Sequence, residues 1–155
     1  MVPRTGERPK TIVLVGDLGK YHREGRATQT GIYPGMMVEP TSTNTDVPHT
    51  PPTIQKHSTA GGDDIVRIVK EDYLQGKTIN DAYSNGDVVL FHEAQRGDVV
   101  FARVASGTHW TVGTKLGSAG SGLFAASGTK RVLQVMEDYD GTADTTHSLI
   151  RCEVL

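Results

Sequence analysis

Short β-favouring runs separated by glycine turns fill the chain from residue 87 to its end, and that alternation leaves little room for helices. The clearest runs are "DVVLFHE" (87–93) and "DVVFARV" (98–104), linked by Ala94-Gln95-Arg96-Gly97. They echo each other at a spacing of 11, Gly86-Asp87-Val88-Val89 returning as Gly97-Asp98-Val99-Val100. Two copies predict a hairpin or meander unit, because a solenoid needs more repeats. On the second run Val100, Ala102 and Val104 point one way, and Val99, Phe101 and Arg103 the other. Apolar groups on both faces predict a strand near the centre of a sandwich or barrel. "RVLQVME" and "THSLIRCEVL" read as closing strands, with Ser148, Ile150, Cys152 and Val154 sharing a face. The fold class expected is all-β: a small β-barrel or jelly-roll-like sandwich, with an extended N-terminal arm and at most one short helix.

Composition agrees. Sixteen Val outnumber nine Leu, beside 18 Thr, and β-branched side chains fit a pleated surface. A length of 155 residues suits one domain with one core. The net charge of −2 gives no overall field to attract nucleic acid or a membrane. It is unevenly spread: residues 1–30 carry six Lys/Arg against three acids, and residues 137–155 carry five acids and one Arg. Cys152 is the only cysteine, which rules out an intrachain disulfide and a cysteine metal cage. The longest apolar run near the N-terminus, Ile12-Val13-Leu14-Val15, is too short for a signal-peptide core or a membrane span.

The first 31 residues read as an arm, and residues 32–155 as a single β domain holding a Thr/Pro-rich loop at 40–53. "TIVLV" (11–15) is a short strand. "GDLGKYHREGRATQTG" (16–31) has no apolar periodicity, so it is either mobile or ordered against something else. "IYPGMMVE" (32–39) resumes a strand after a Pro-Gly turn. "TINDAYSNG" (78–86) predicts one helical turn capped by Thr78, with Asp81 three residues on. Removal of residues 1–31 should on this reading leave a folded domain.

Three short motifs suggest chemistry and none satisfies its own requirements. Gly76-Lys77-Thr78 resembles the end of a phosphate loop, but Glu71 stands where a glycine is needed and Asp72 follows it. His92-Glu93 lacks a second histidine at i+4, where Arg96 stands. Arg96-Gly97-Asp98 is good turn chemistry between two strands. No G-x-S-x-G elbow is present, and the acidic pairs lie at strand ends or turns. No catalytic residue, metal ligand or cofactor is therefore expected, and the chain reads as a non-enzyme.

The same region carries another pattern. Glu71, Asp72, Leu74, Gly76, Lys77, Ile79, Asp81, Ala82, Tyr83, Gly86, Asp87 and Val89, continuing to Gly113, Leu116, Gly120, Gly122 and Leu123, resemble the small decoration, or cement, proteins of tailed-bacteriophage capsids. "IYPGMMVE" and "VLQVMEDYDGT" resemble that family's opening and closing strands. The resemblance implies a virion structural protein on the capsid exterior, present in host cytoplasm during assembly. It would staple neighbouring major capsid subunits and act as a homodimer or homotrimer. Partner contacts are expected from the arm: Arg4, Arg8, Lys10, Lys20, Arg23 and Arg26 against acidic coat surface, Ile12 and Leu14 on a strand offered to a neighbour's sheet edge, and Tyr21 and Tyr33 as anchors. The alternative from the residues is an accessory carbohydrate- or host-surface-binding β module.

Overall fold

The computed structural model describes residues 11–16, 22–41, 51–62, 65–126 and 130–155. They form short strands and one 3-10 turn, Tyr73–Gln75. The first sheet contains β1 (Val13–Val15), β7 (Val99–Ala105), β9 (Lys115–Ser118), β10 (Phe124–Ala125), β11 (Leu133–Val135) and β13 (His147–Val154). It runs β1-β7-β10-β9-β11-β13, and β13 returns to pair with β7 from His147↔Ala105 to Glu153↔Val99, so the sheet closes into a barrel. The second sheet runs β3-β4-β2-β6-β5, from β2 (His22–Ala27), β3 (Val38–Pro40), β4 (Thr53–Lys56), β5 (Arg67–Val69) and β6 (Val88–Glu93). A bridge between Met37 and Ile68, with the Val69 N–H donating to the Met36 carbonyl, brings its two ends together into a nearly closed barrel. A small ribbon of β8 (His109–Trp110) and β12 (Tyr139–Asp140) completes the elements.

Alternation along the strands explains how the barrels join. Val100, Ala102 and Val104 are buried in one cluster with Leu116, Phe124 and Ile150. The opposite face of β7 and β13 carries Phe101, Arg103 and Leu149, all buried as well. Met37 and Ile68 of the second barrel belong to the first cluster, while their chain neighbours Val38 and Val69 belong to the second, with Ile32, Ile54, Tyr83 and Phe91. Successive strand residues point to opposite faces, so this short wall serves two cores. Cys152 is buried, and burial, aided by the charge of Glu137, pushes its thiol pKa far up.

Several expectations are corrected. The two Gly-Asp-Val-Val runs do not pair: β6 lies in one barrel and β7 in the other. What the echo encodes is a turn. The Asp87 N–H donates to the Ser84 carbonyl while the Ser84 N–H donates to Asp87 Oδ2, and Asp98 and Gln95 do the same. Gly86 and Gly97 hold φ of 91° and 90°, the left-handed values that favour glycine. The short helical turn lies at Tyr73–Gln75 rather than after Thr78. The described part of residues 1–31 does not stand apart as an arm. β1 pairs with β7, and β2 lies between β4 and β6 inside the second sheet. Deleting residues 1–31 removes an interior strand and should unfold that barrel. Residues 42–50 of the Thr/Pro-rich loop lie outside the described residues.

The joint between barrels is tight at Gly35. Its φ is 91°, and a Cβ there would sit 2.6 Å from Leu149 Cδ2 and 3.2 Å from the Phe101 carbonyl oxygen. Gly35→Ala should therefore lose about 2–4 kcal/mol, combining left-handed strain with overpacking. Urea unfolding followed by Trp110 fluorescence would measure it, and a loss below about 0.5 kcal/mol would show that the joint has slack.

Candidate functional site

Residues 71–88 build the most sharply defined surface feature. Asp72 is buried, and its carboxylate accepts from the backbone N–H groups of Leu74 (3.1 Å) and Gln75 (3.3 Å) and from the Gln75 side chain. Gln75 Nε2 also donates to the Val88 carbonyl. Asp72 and Lys77 exchange two backbone hydrogen bonds of 2.8 Å, and Gly76 closes the turn with φ 70°. A capping acid, a left-handed glycine and a bridge at the base fix this turn from three directions. Its tip presents Tyr73, more than half exposed, and Leu74, fully exposed. Beneath it Tyr83 is buried and donates its hydroxyl to the Lys70 carbonyl at 2.9 Å. Burial, then the charges of Asp72 and Glu71, push its phenol pKa well up.

The polar residues Lys77, Thr78, His92, Glu93 and Asp98 of the suspected motifs are occupied structurally. Lys77 Nζ donates to the Ala82 carbonyl (3.0 Å) and lies 3.5 Å from Asp87 Oδ2. The Thr78 N–H and hydroxyl donate to Asp81 and Thr78 Oγ1 accepts from the Asn80 N–H at 3.3 Å, so the pair closes a turn that no helix follows. Those bonds hold the Asp81 carboxyl below its usual range. His92 is fully buried with Nε2 2.7 Å from Asp98 Oδ2. Asp98 is buried too, so the Arg-Gly-Asp tripeptide hides its carboxylate. Among the described residues no group of three His, Cys, Asp or Glu comes together to hold a metal, and no helix is long and apolar enough to cross a membrane.

One cluster has the chemistry of a nucleophile relay. His57 Nδ1 lies 2.8 Å from Ser118 Oγ, and His57 Nε2 lies 3.4 Å from Glu39 Oε2. The other Glu39 oxygen accepts from the Ser58 N–H, the Ser58 hydroxyl and Gln55 Nε2. Burial raises the Glu39 pKa, but these bonds and the facing His57 outweigh it and hold the carboxyl low. Access is what the cluster lacks. Ser118 is 2% exposed and His57 1% exposed, and the Gly120 N–H donates to Ser118 Oγ at 3.1 Å. A substrate carbonyl has no approach, so the cluster ties β3, the segment after β4, and β9 together. A hollow of about 360 Å³ lies elsewhere, between Thr108, His109, Trp110, Thr114 and Phe124. Trp110 is buried beneath it and offers no exposed ring for stacking; its indole N–H has no acceptor among the described residues.

The expected partner residues fall into four groups. Arg4, Arg8, Lys10, Lys20 and Tyr21 lie outside the described residues. Ile12 is a correction: it is fully buried, its carbonyl accepts from the Phe101 N–H at 2.7 Å, and its N–H donates to Glu71 Oε2. Leu14, Arg23 and Arg26 are exposed, with Arg23 beside Glu93 at 3.3 Å and Arg26 donating to the Gly86 carbonyl. Tyr33 is half-buried against His147 and Arg103. The sequence reading missed Leu74 as a surface feature and Arg103 as a buried one. A charge on a β-strand face shared with Phe101 was the available signal, since arginine is seldom buried without a purpose.

These features define a small all-β protein of two joined barrels, with one rigid apolar tip and no accessible catalytic cluster among the described residues. No protein-family model matches the chain, and no curated protein matches it.

Two outcomes follow from the site. Asp72→Ala should cost about 1–2 kcal/mol, because it removes a cap that satisfies several donors; an unchanged urea midpoint would show that the turn holds without it. A fluorophosphonate probe should leave the native protein unlabelled. Labelling that disappears in Ser118→Ala would make that serine an accessible nucleophile.

Proposed function

We propose that this protein is a capsid decoration protein, a non-enzymatic clamp on the outer surface of a tailed-bacteriophage head. The observation that carries the reading is Leu74. A fully exposed leucine is held on a turn fixed by a capping acid, a glycine and a two-bond bridge. No described residue covers that side chain, and a preordered apolar tip loses little conformational freedom when a partner pocket takes it. The residues around it are the ones that resemble the decoration-protein pattern. Asp72, Gly76, Lys77, Asp81, Tyr83 and Asp87 each serve to shape or brace the segment.

On a repeating lattice each contact can be modest. A symmetric oligomer that touches several coat subunits gains about 10²-fold or more in avidity. The partners are then the major capsid protein and further copies of this chain. The exposed Leu14, Arg23 and Arg26 remain available for secondary contacts.

Co-sedimentation with expanded heads of the phage whose genome encodes the chain tests the reading. The protein should pellet with the heads and raise their rupture temperature. Leu74→Ser should weaken binding about tenfold or more, the effect of losing a desolvated anchor, with an unchanged unfolding midpoint. Wild-type protein that stays in the supernatant, or pellets without altering rupture, would overturn the proposal.

A further inference from the structure

Arg103 lies in the joint between the barrels with 4% of its surface exposed. Its partners among the described residues are unusual for a buried cation, because none is a carboxylate. Nε donates to the Pro34 carbonyl at 2.8 Å, and Nη2 to the Ile79 carbonyl at 2.6 Å. Nη1 lies 2.6 Å from His147 Nδ1. The Tyr33 ring centroid lies 5.1 Å from Cζ. The Arg103 backbone N–H donates to the Gly35 carbonyl at 2.9 Å. One residue of the first barrel thus holds the turn at 33–36 and the loop at Ile79, both from the second barrel.

His147 sets the state of this cluster. A guanidinium has only donors to offer, so Nδ1 of His147 accepts, and the ring is neutral with its proton on Nε2. From β7 the charged group facing it is Arg103. From the 33–36 turn it is Tyr33, edge-on with ring centroids 4.7 Å apart. Its register partner, Ala105, is apolar. Asp144, three residues earlier on its own side, accepts from the Tyr139 hydroxyl at 2.8 Å and from Ser148. No described carboxylate faces the imidazole to offset a second positive charge.

We propose that His147 is a proton-sensitive latch on the joint: its protonation removes the acceptor for Arg103, sets two cations in contact, and releases the 33–36 turn from β7. Burial, then the Arg103 charge, hold the imidazole pKa below its ordinary 6.5. Burial lowers that of Arg103 to about 10, so the guanidinium stays charged at neutral pH. A depressed folded-state pKa means that the neutral ring stabilises the joint fully above pH 6.5. That contribution is lost as pH falls from there through the lowered value. In that window the open state binds one more proton, and opening grows by up to about tenfold per pH unit.

The test is a per-residue NMR experiment on the intact protein. The His147 ring is titrated through its Cε1 proton, and amide exchange, corrected for intrinsic rate, is followed at Arg103, whose N–H donates to the Gly35 carbonyl across the joint. Wild type should titrate below 6.5 at His147 and lose protection at Arg103, by up to about tenfold per unit, between pH 6.5 and 5. The Gly35 amide, which donates to the Val69 carbonyl, reports separately on the second barrel, and the Gly61 amide, which donates to the Ser118 carbonyl, on the joint containing His57. His147→Asn places an oxygen acceptor where Nδ1 stands but does not titrate, and its Arg103 protection should stay flat over the same range. The latch is overturned by a His147 titration at or above 6.5, or by equal pH dependence in wild type and His147→Asn. If the variant fails to fold, the wild-type ring titration and the Arg103 amide decide together, and protection that does not fall as His147 takes up its proton overturns the latch.

Discussion

Strand β7 is used on both edges and both faces, and the rest of the molecule depends on that. β13 pairs with it along one edge, and β1 and β10 share the other. Its inner face, Val100, Ala102 and Val104, fills the first barrel. Its outer face, Phe101 and Arg103, meets the second barrel across Gly35. A strand paired and buried in this way exposes no edge for unwanted association. The close contact at Gly35 leaves the two barrels little room to shift against each other at this strand.

Polar groups sit where the chain passes between the barrels. His92 meets Asp98 at the crossing from β6 to β7, His57 joins Ser118 to Glu39, and His147 holds Arg103. Buried pairs of this kind add little net stability over an apolar filling, yet breaking one leaves a costly unpartnered group. Their effect here is to fix how the two barrels meet. A stiff body of this kind suits the proposed role, in which strength comes from repeated contact with a lattice and the exposed turn at Leu74 makes that contact.

The all-β class and the inward face of β13 were legible, because alternation over eight residues with β-branched content has few other readings. Pairing was not. The two Gly-Asp-Val-Val runs look like a hairpin, but a local pattern describes a turn and two strands without naming their neighbours. Strand β2 escaped notice for a different reason. Its inward positions hold Gly25, where a Cβ would lie 2.7 Å from Ile54, and Ala27. Small residues that admit a close neighbour leave no hydrophobic stripe to detect. Tyr33 was expected as a partner anchor, and the sequence held no signal that its ring would pack on His147 and Arg103 at the joint. Leu74 carried no signal of its exposure, since an apolar residue beside Tyr73 reads equally well as core.

A density map of expanded phage heads carrying this protein tests the central claim most directly. The account predicts two-barrel density on the outer shell, with the Asp72–Gly76 turn buried against coat protein. Heads without added density, or a bound protein whose turn points into solvent, would contradict it.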